Sequence, residues 1–334
     1  MEVSPVPVPG RDPRSLDAYT PSEVAQRVRT AGVEDARRGI VQTFALSLIG
    51  GSMLGLAAAA STAAMSGNVV GYGISRVIGG LILGLGLALV MTGGGELFTS
   101  NNLISMAWVS RQVRTTELAA NWAVVYVGNA IGAASIPVLL VVGGAYNGGG
   151  DVFGGNALAI AAAKTGQAFE QDIALGIIGN TLVCMAVWLC FGARTTTDRI
   201  LACVLPMAVL VTLNADHVVA NFHYLTTGLL LRDDPAAVAA SGLDAAALES
   251  ISLTAVLSNL GAVTIGNIIG GSVLVAAVYW FVYLRPSDKI ANGQAATDPG
   301  AMDAPNPGRG RDSASKSSRS PDGASDDDRD DRPG

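Results

Sequence analysis

The stretch LNADHVVANFHY, residues 213–224, places both histidines of the chain and an acidic residue between two apolar segments. The residues before it read LACVLPMAVLVT, and those after it read LTTGLLL. Polar and ionisable groups are costly in the hydrocarbon of a membrane and are usually functional there. If these segments cross a membrane, the stretch therefore marks an interrupted spanning helix with a functional site.

The composition indicates an integral membrane protein. Half of the 334 residues are hydrophobic and only 14% are charged, against roughly 25% charged in a typical soluble domain. Six apolar stretches are long enough to span a hydrocarbon core as helices. They are residues 40–65, 77–109, 117–143, 173–192, 200–231 and 254–284, of which the second and fifth contain polar interruptions.

The distribution of basic residues predicts the orientation. In a six-span arrangement, one side of the membrane carries Arg37, Arg38, Arg111, Arg114, Arg194, Arg199, Arg285 and Lys289, and the other carries Arg76, Lys164 and Arg232. The more basic side is expected to be cytoplasmic. Because the first residues contain no apolar segment typical of a signal peptide, we expect both termini in the cytoplasm of a plasma (inner) membrane protein.

Three regions are predicted along the chain. Residues 1–37 form a cytoplasmic leader with a short surface helix, because Thr20-Pro21-Ser22-Glu23 is typical of a helix start. Residues 38–285 form the transmembrane domain. Residues 286–334, rich in Pro, Gly, Ser and Asp, contain too little apolar surface to fold and are expected to be a disordered cytoplasmic tail.

The membrane region contains a repeat with a period of three helices. GNAIGA at 128–133 is matched by GNIIGG at 266–271, and LIGG at 48–51 by IIGN at 177–180. A unit with an odd number of spans puts the second copy upside down, as in many transport proteins. The interruptions TGGGELFTSNN (92–102) and NADH (214–217) fall in the middle helix of each unit. Paired discontinuous helices of this kind indicate a substrate path.

Five motifs in this order resemble the formate/nitrite transporter family, whose members conduct small monovalent anions. They are GGGELFTSNNLI, NWAVVYVGNAIGA, GIIGNTLVCMAVW, NADHVVANF and TIGNIIGGSVLVAAVYW, and the similarity covers about residues 30–285. The resemblance implies an all-α membrane protein of six transmembrane helices, an aquaporin-like inverted repeat of 3+3 with broken second and fifth helices. It also implies a homopentamer in which each protomer has its own pore.

The resemblance also implies the site. His217 corresponds to the family's pore histidine and Thr99 lies in the loop that breaks the second helix, so these two and Asp216 are expected to form a pore and proton relay. The remaining assignments are Asn180 and Asn267 as polar pore-lining residues, Leu83, Leu87, Phe98, Val183 and Leu210 as constriction residues, and Lys164 as the anion-attracting residue of a vestibule. We expect Asp216 either to cap the second half-helix or to interact with His217.

The chemistry of the stretch fits a weak-acid transporter. Histidine has an unperturbed pKa near 6.5, so His217 can supply a proton or a switchable charge to a small anion. We therefore predict transport of formate and/or nitrite, aided by protonation near His217. Asp216 stands where the family usually has Glu, and Leu83 and Leu210 where formate-selective members often have Phe. The choice among formate, nitrite and hydrosulfide is left open.

The sequence argues against two other classes of protein. An aquaporin-like pore for neutral solutes would show Asn-Pro-Ala at both interruptions, and neither contains it. A membrane enzyme would need a cofactor motif or metal cluster, whereas the chain offers two histidines and three scattered cysteines, Cys184, Cys190 and Cys203. We expect no enzymatic activity, cofactor, metal or nucleic acid, and as partners small anions, protons, membrane lipid and further copies of the chain.

Overall fold

The computed structural model describes residues 18–67 and 70–285, and every regular element in this part of the chain is a helix. Part of the predicted leader, residues 1–17, and the predicted disordered tail, residues 286–334, lie outside the described residues. The predictions for those two segments therefore stay predictions.

Thirteen α-helices follow one another along the described chain. They are α1 (Pro21–Arg37), α2 (Ile40–Met65), α3 (Tyr72–Gly93), α4 (Phe98–Asn101), α5 (Ser105–Val109), α6 (Thr115–Val142), α7 (Val152–Thr165), α8 (Phe169–Gly192), α9 (Thr196–Thr212), α10 (Val218–Leu231), α11 (Pro235–Ser241), α12 (Ala245–Ser250) and α13 (Leu253–Ile268). Short 3₁₀ helices span Asn102–Ile104 and Ala145–Asn147, and α13 continues into π-helical turns over Ile269–Ala277 and Trp280–Leu284.

Five helical stretches are long and apolar enough to cross a membrane. They are α2, α3, α6, α8 and the continuous stretch Leu253–Leu284. Helix α10 is apolar but shorter, with 14 residues, and it follows the 17-residue α9. Length and composition thus agree with the multi-pass membrane protein predicted from the sequence.

The start of α3 differs from the sequence prediction. The apolar stretch predicted from the sequence begins at residue 77, directly after the charged Arg76, whereas α3 begins at Tyr72. Arg76 is accommodated within the helix because its guanidinium donates to the Val211 carbonyl at 2.9 Å and to the Asn214 side chain at 2.6 Å. A charged side chain with such hydrogen-bond acceptors can therefore lie within a helix.

Helix α1 begins at the predicted start signal. The backbone N–H of Thr20 donates to the Glu23 carboxylate at 2.6 Å, the capping-box contact that satisfies a free donor at a helix N-terminus. Val24 and Val28 of this helix are buried in an apolar cluster with residues of α8 and of the π-helical turns after α13. The N-terminal half of α1 therefore packs against the rest of the bundle.

Glycines allow three pairs of helices to pack at backbone distance. A Cβ atom added at Gly80 or Gly84 of α3 would overlap the backbone of α9. The same holds for Gly132 of α6 against α2, and for Gly266 of α13 against α8. Small residues at helix interfaces allow this close approach, so these glycines serve helix packing.

Two interruptions separate helices that would otherwise be continuous. We call residues 94–97, between α3 and α4, the first junction, and residues 213–217, between α9 and α10, the second junction. A helix begins directly after each junction, so each presents backbone N–H groups toward the residues that precede it. The candidate site lies where these two helix starts meet.

Candidate functional site

The two junctions share one backbone pattern. Each contains, at its first or second position, a residue in the left-handed region: Gly94 at φ 78° and Asn214 at φ 56°. Two residues further on, the backbone N–H of an acidic residue bonds to a neighbouring helix: that of Glu96 to a carbonyl of α2 at 3.1 Å, and that of Asp216 to a carbonyl of α8 at 3.1 Å. Equivalent residues thus anchor the backbone of both junctions.

Asn267 holds the second junction in place. Its side-chain amide donates to the carbonyls of Asp216 at 3.0 Å and Gly176 at 2.8 Å. Its side-chain oxygen accepts the N–H of Val218, the first residue of α10, at 2.9 Å. The side chain, expected to line the pore, is fully buried and is directed at backbone, where it satisfies groups that a broken helix leaves open.

Asn129 does the same at the first junction. Its amide donates to the carbonyls of Glu96 at 2.9 Å and Ser47 at 2.7 Å, and its oxygen accepts the N–H of Phe98 at 2.8 Å. Asn129 and Asn267 are the asparagines of the repeated GN motif. The repeated motif therefore places an identical clamp on each junction.

Asp216 binds a cation. Its carboxylate contacts the Lys164 ammonium and accepts a hydrogen bond from the Asn221 amide at 3.0 Å. The residue that caps α10 is His217, so the expectation that Asp216 caps this helix is wrong. The reason is the strong attraction between the carboxylate and Lys164 inside the protein, where little water screens charges.

Glu96 forms the equivalent cluster at the first junction. Its carboxylate pairs with Arg38 and accepts from the Asn101 amide at 2.9 Å. Arg38 also binds Asp35, at the end of α1, at 2.7 Å. Burial, and next the Glu96 carboxylate, raise the pKa of Asp35 to about 7 despite its ion pair with Arg38. This cluster therefore contains a carboxyl group that titrates near neutral pH.

Thr99 and His217 meet between the junctions. Thr99 Oγ1 lies 2.9 Å from His217 Nε2, and both residues are buried. Thr99 lies in the first turn of α4, so it follows the break and does not lie in the loop as expected. The contact brings together the starts of α4 and α10.

The hydrogen bonds determine which ring nitrogen of His217 carries the proton. Nδ1 accepts the backbone N–H of Ala220 at 3.3 Å, so in this geometry Nδ1 has no hydrogen. The neutral ring then carries its proton on Nε2 and donates it to Thr99 Oγ1. Since the Thr99 oxygen accepts this bond, its own hydroxyl hydrogen is available to another acceptor.

A cavity of about 300 Å³ opens beside this contact. We call it the Lys164 cavity; its lining includes Arg76, Leu83, Lys164, Leu210, Asn214 and His217. Leu83 and Leu210 are almost fully buried, so they form an apolar floor next to the imidazole. The cavity therefore leads from charged groups at its mouth to an apolar barrier.

The other predicted constriction residues lie outside the lining of the Lys164 cavity. Leu87, Phe98 and Val183 are buried in the same apolar cluster as Leu83 and Leu210, but they do not line the cavity. The Phe98 ring packs edge-on against Tyr126, with centroids 5.1 Å apart. The structure thus brings all five predicted constriction residues into one apolar region.

Asn180 links the two halves of the chain. Its amide lies 3.3 Å from the Thr99 carbonyl, 2.7 Å from the Asn267 carbonyl and 3.0 Å from the side-chain oxygen of Asn102. The side chain is fully buried and does not line the cavity. Asn180, predicted to line the pore, therefore supports the backbone around Thr99.

Seven charged or amide side chains at the two junctions are not predicted as site residues by the sequence. The missed residues are Asp35, Arg38, Arg76, Glu96, Asn101, Asn129 and Asn221. A signal was present: Glu96 and Asp216 are each followed five positions later by an asparagine, Asn101 and Asn221. The same spacing at both interruptions points to the same local structure.

The three cysteines and His223 do not line the Lys164 cavity. Cys184, Cys190 and Cys203 are buried free thiols, and His223 is buried with its ring edge-on to Tyr224. Within residues 18–67 and 70–285, no group of three His, Cys, Asp or Glu residues is arranged to hold a metal ion.

Comparison with known sequences gives a consistent result. The profile of the Formate/nitrite transporter family matches residues 22–281. The formate channel FocA of Escherichia coli (strain K12) is 35% identical over 280 residues, which cover 82% of this chain and 97% of the relative. The uncharacterized transporter YrhG of Bacillus subtilis (strain 168) is 30% identical over 267 residues, covering 79% and 93%.

Comparison with solved structures agrees. A pentameric formate channel with formate bound superimposes with a TM-score of 0.68 at 35% identity, covering 74% of this chain and 98% of that chain. An FNT family ion channel, at 20% identity and a TM-score of 0.66, shares the fold.

Proposed function

The chain belongs to the formate/nitrite transporter family, and we propose that it carries small monovalent weak acids, formate and/or nitrite, across a membrane. The observation that supports this most directly is the Lys164 cavity, with a cation at its mouth, an apolar floor and a hydrogen-bonded His217–Thr99 pair beside that floor. This spatial order of groups suits a solute that enters as an anion and crosses as a neutral acid.

The finer architecture is part of the proposal. We count α3 with α4 and α5 as one discontinuous crossing, and α9 with α10 as another, so that residues 38–285 cross the membrane six times. The matching clamps of Asn129 and Asn267 support an inverted repeat of three plus three helices. Both termini would then lie in the cytoplasm, in the plasma (inner) membrane.

A homopentamer is proposed from one relative. The solved formate channel that covers 74% of this chain at 35% identity is pentameric. The described surface of this chain carries exposed apolar side chains, such as Leu139, Leu257 and Phe281, that either lipid or further copies can cover. A transporter of this kind catalyses no reaction, and we propose none.

Energetics favour passage as the neutral acid. A charge at the bilayer centre costs between about 3 and more than 10 kcal/mol. Protonating an acid of pKa about 4 at pH 7 costs only about 4 kcal/mol, at 1.36 kcal/mol per unit. As an anion leaves water for the floor formed by Leu83 and Leu210, desolvation raises its own pKa. It then takes a proton from the water of the cavity.

His217 and Thr99 assist this step. The ring donates through Nε2 to the Thr99 oxygen, so the Thr99 hydroxyl can donate in turn to a solute oxygen during the loss of hydration. Uptake of a second proton at Nδ1 would break the bond from the Ala220 N–H and give the ring a positive charge. The pair therefore has two states that respond to pH.

Lys164 attracts the anion, and Asp216 acts through Lys164. The ammonium lines the cavity and its side chain is 11% exposed, so its field reaches a solute in the cavity with little screening. Asp216 fixes the position of this ammonium and offsets part of its charge. A second charge in the same cavity would therefore strengthen the attraction.

The proposal is tested with purified protein in liposomes. Formate, nitrite and hydrosulfide uptake is measured at pH 5.5 and pH 7.5 against liposomes without protein, with glycerol as a neutral solute. We expect uptake of formate or nitrite that is faster at pH 5.5, and no glycerol uptake. Glycerol uptake without anion uptake would instead establish a neutral-solute pore, and uptake of hydrosulfide alone would change the substrate.

A further inference from the structure

The Lys164 cavity contains a second cation besides Lys164. Arg76 lines the same cavity from the second turn of α3. Its guanidinium donates to two uncharged oxygens, the Val211 carbonyl at 2.9 Å and the Asn214 side-chain oxygen at 2.6 Å. Among the ion pairs formed within residues 18–67 and 70–285, none includes Arg76.

The two cations of the cavity are therefore not equivalent. The Lys164 ammonium is in contact with the Asp216 carboxylate, and at a distance the two opposite charges largely cancel. Arg76 donates its hydrogen bonds to neutral groups, which do not cancel its charge. Its field therefore extends across the cavity. Arg76 is half-buried, and a half-buried charge is screened less than one on an open surface.

The position of Arg76 also removes a repulsive feature. Helix α9 ends at Thr212 against the cavity, and the carbonyls of a helix C-terminus carry a partial negative charge that repels anions. The Val211 carbonyl belongs to this last turn and is the one that Arg76 binds. Without the guanidinium, the cavity mouth would present these carbonyls to an approaching anion.

We propose that Arg76 is the residue that recruits the anion to the cavity, before the solute reaches the Lys164–Asp216 pair. This rests on the proposed transport of small monovalent anions. Clefts lined by one sign of charge raise the local concentration and the association rate of oppositely charged solutes. Arg76 therefore sets the half-saturation concentration for the anion and its dependence on ionic strength, and it has little influence on the maximum rate.

The test measures formate uptake into liposomes at low and high ionic strength. For Arg76→Gln we expect the half-saturation concentration to rise roughly tenfold at about 10 mM salt. At about 0.5 M salt the difference should fall below about twofold, because screening then acts over a few Å. Arg76→Lys, which keeps the charge, should lie near the wild type at both salt concentrations.

A second variant separates charge from structure. Asn214→Asp places a carboxylate on the guanidinium while keeping its hydrogen bond, so it should reproduce the salt-dependent effect of Arg76→Gln even if that variant folds poorly. The matched control is Arg232→Gln, which removes an arginine that is paired with Asp233 and does not line the cavity. It should behave as the wild type.

The outcomes are distinguishable. If wild-type protein takes up none of the small anions, the proposed function fails. If it takes up formate, but Arg76→Gln and Asn214→Asp keep the wild-type half-saturation concentration at low salt, the role of Arg76 is overturned. A rise that is the same at 10 mM and 0.5 M salt also overturns it, because a structural defect is not screened by ions.

Discussion

Glu96 and Asp216 occupy equivalent places at two helix interruptions and are neutralised in equivalent ways. Each donates its backbone N–H to a neighbouring helix at 3.1 Å, and each carboxylate pairs with a cation, Arg38 or Lys164. A buried ion pair is costly to break, because the remaining partner is left as an uncompensated charge. The predictions below use this relationship and the site between the two acids.

Replacing His217 tests the pH response. His217→Asn should keep the fold, because the asparagine oxygen can accept the N–H that caps α10. It should abolish the change in formate uptake between about pH 5 and pH 7 that a histidine titration gives. The measurement is uptake across this range in liposomes. His223→Asn, the control, should keep the wild-type profile, and a wild-type profile in His217→Asn would show that the ring is structural.

Enlarging the apolar floor tests selectivity. Leu210→Ala removes part of the barrier beside His217, so larger weak acids such as butyrate should permeate faster relative to formate. Leu87→Ala, below the floor, should act in the same direction, with a loss of stability of about 2–5 kcal/mol in each variant. Relative uptake rates check the first effect and thermal unfolding the second. Unchanged solute preference in both variants would mean that these leucines only fill the core.

Removing the Asp216 charge tests the second junction. Asp216→Asn leaves the Lys164 ammonium, 11% exposed, without its counter-charge, and should destabilise the protein by about 3–5 kcal/mol. Adding Lys164→Met removes the unpaired charge and should recover a large part of the loss. The thermal unfolding midpoints of the single and double variants measure the coupling. Additive losses would contradict a direct charge interaction.

Asp35 predicts a pH dependence of stability. Burial and Glu96 raise its folded pKa to about 7, so the folded state binds the proton more tightly than the unfolded state, whose pKa is about 3.9. The resulting stabilisation is complete below about pH 4 and is lost as the pH rises toward about 7. Asp35→Asn lacks this dependence and should be more stable than the wild type above pH 7.

The unfolding midpoint between pH 5 and pH 8 measures this effect. Glu170→Gln is the control, because Glu170 is an exposed carboxylate at the start of α8, outside this cluster. It should follow the wild-type curve. A wild-type curve that is flat, or that rises with pH relative to Asp35→Asn, would show that Asp35 stays ionised in its pair with Arg38.

Much of the fold follows from the order of the residues. The apolar stretches and the polar interruptions can be read directly, since an apolar stretch of about 20 residues spans a hydrocarbon core as a helix and broken helices are tolerated there only at buried sites. The likeness of residues 128–133 to 266–271 also predicts a three-helix repeat, but the role of Asn129 and Asn267 as clamps depends on side-chain direction. Such directions come from packing, which a linear pattern does not contain.

The partners of the charges were harder to predict. Lys164 and Asp216 are far apart in the chain, and which groups a side chain reaches depends on how α7 packs against the second junction. Arg38 and Asp35 come from the end of the leader helix, which the sequence presented as a surface element. The misassigned cap at α10 has the same origin: the Asp216 side chain is drawn to Lys164, and His217 is left to accept the free N–H.

The pairing of each acid within its own half of the chain bears on how the protein is made. Glu96 is bound by Arg38 and Asn101, all of which are synthesised before residue 130. Asp216 is bound by Lys164 and Asn221, all of which come later. Each half can therefore leave the ribosome and enter the bilayer with its charge already neutralised. The contact of Thr99 with His217 joins the two halves and can form only once both are present.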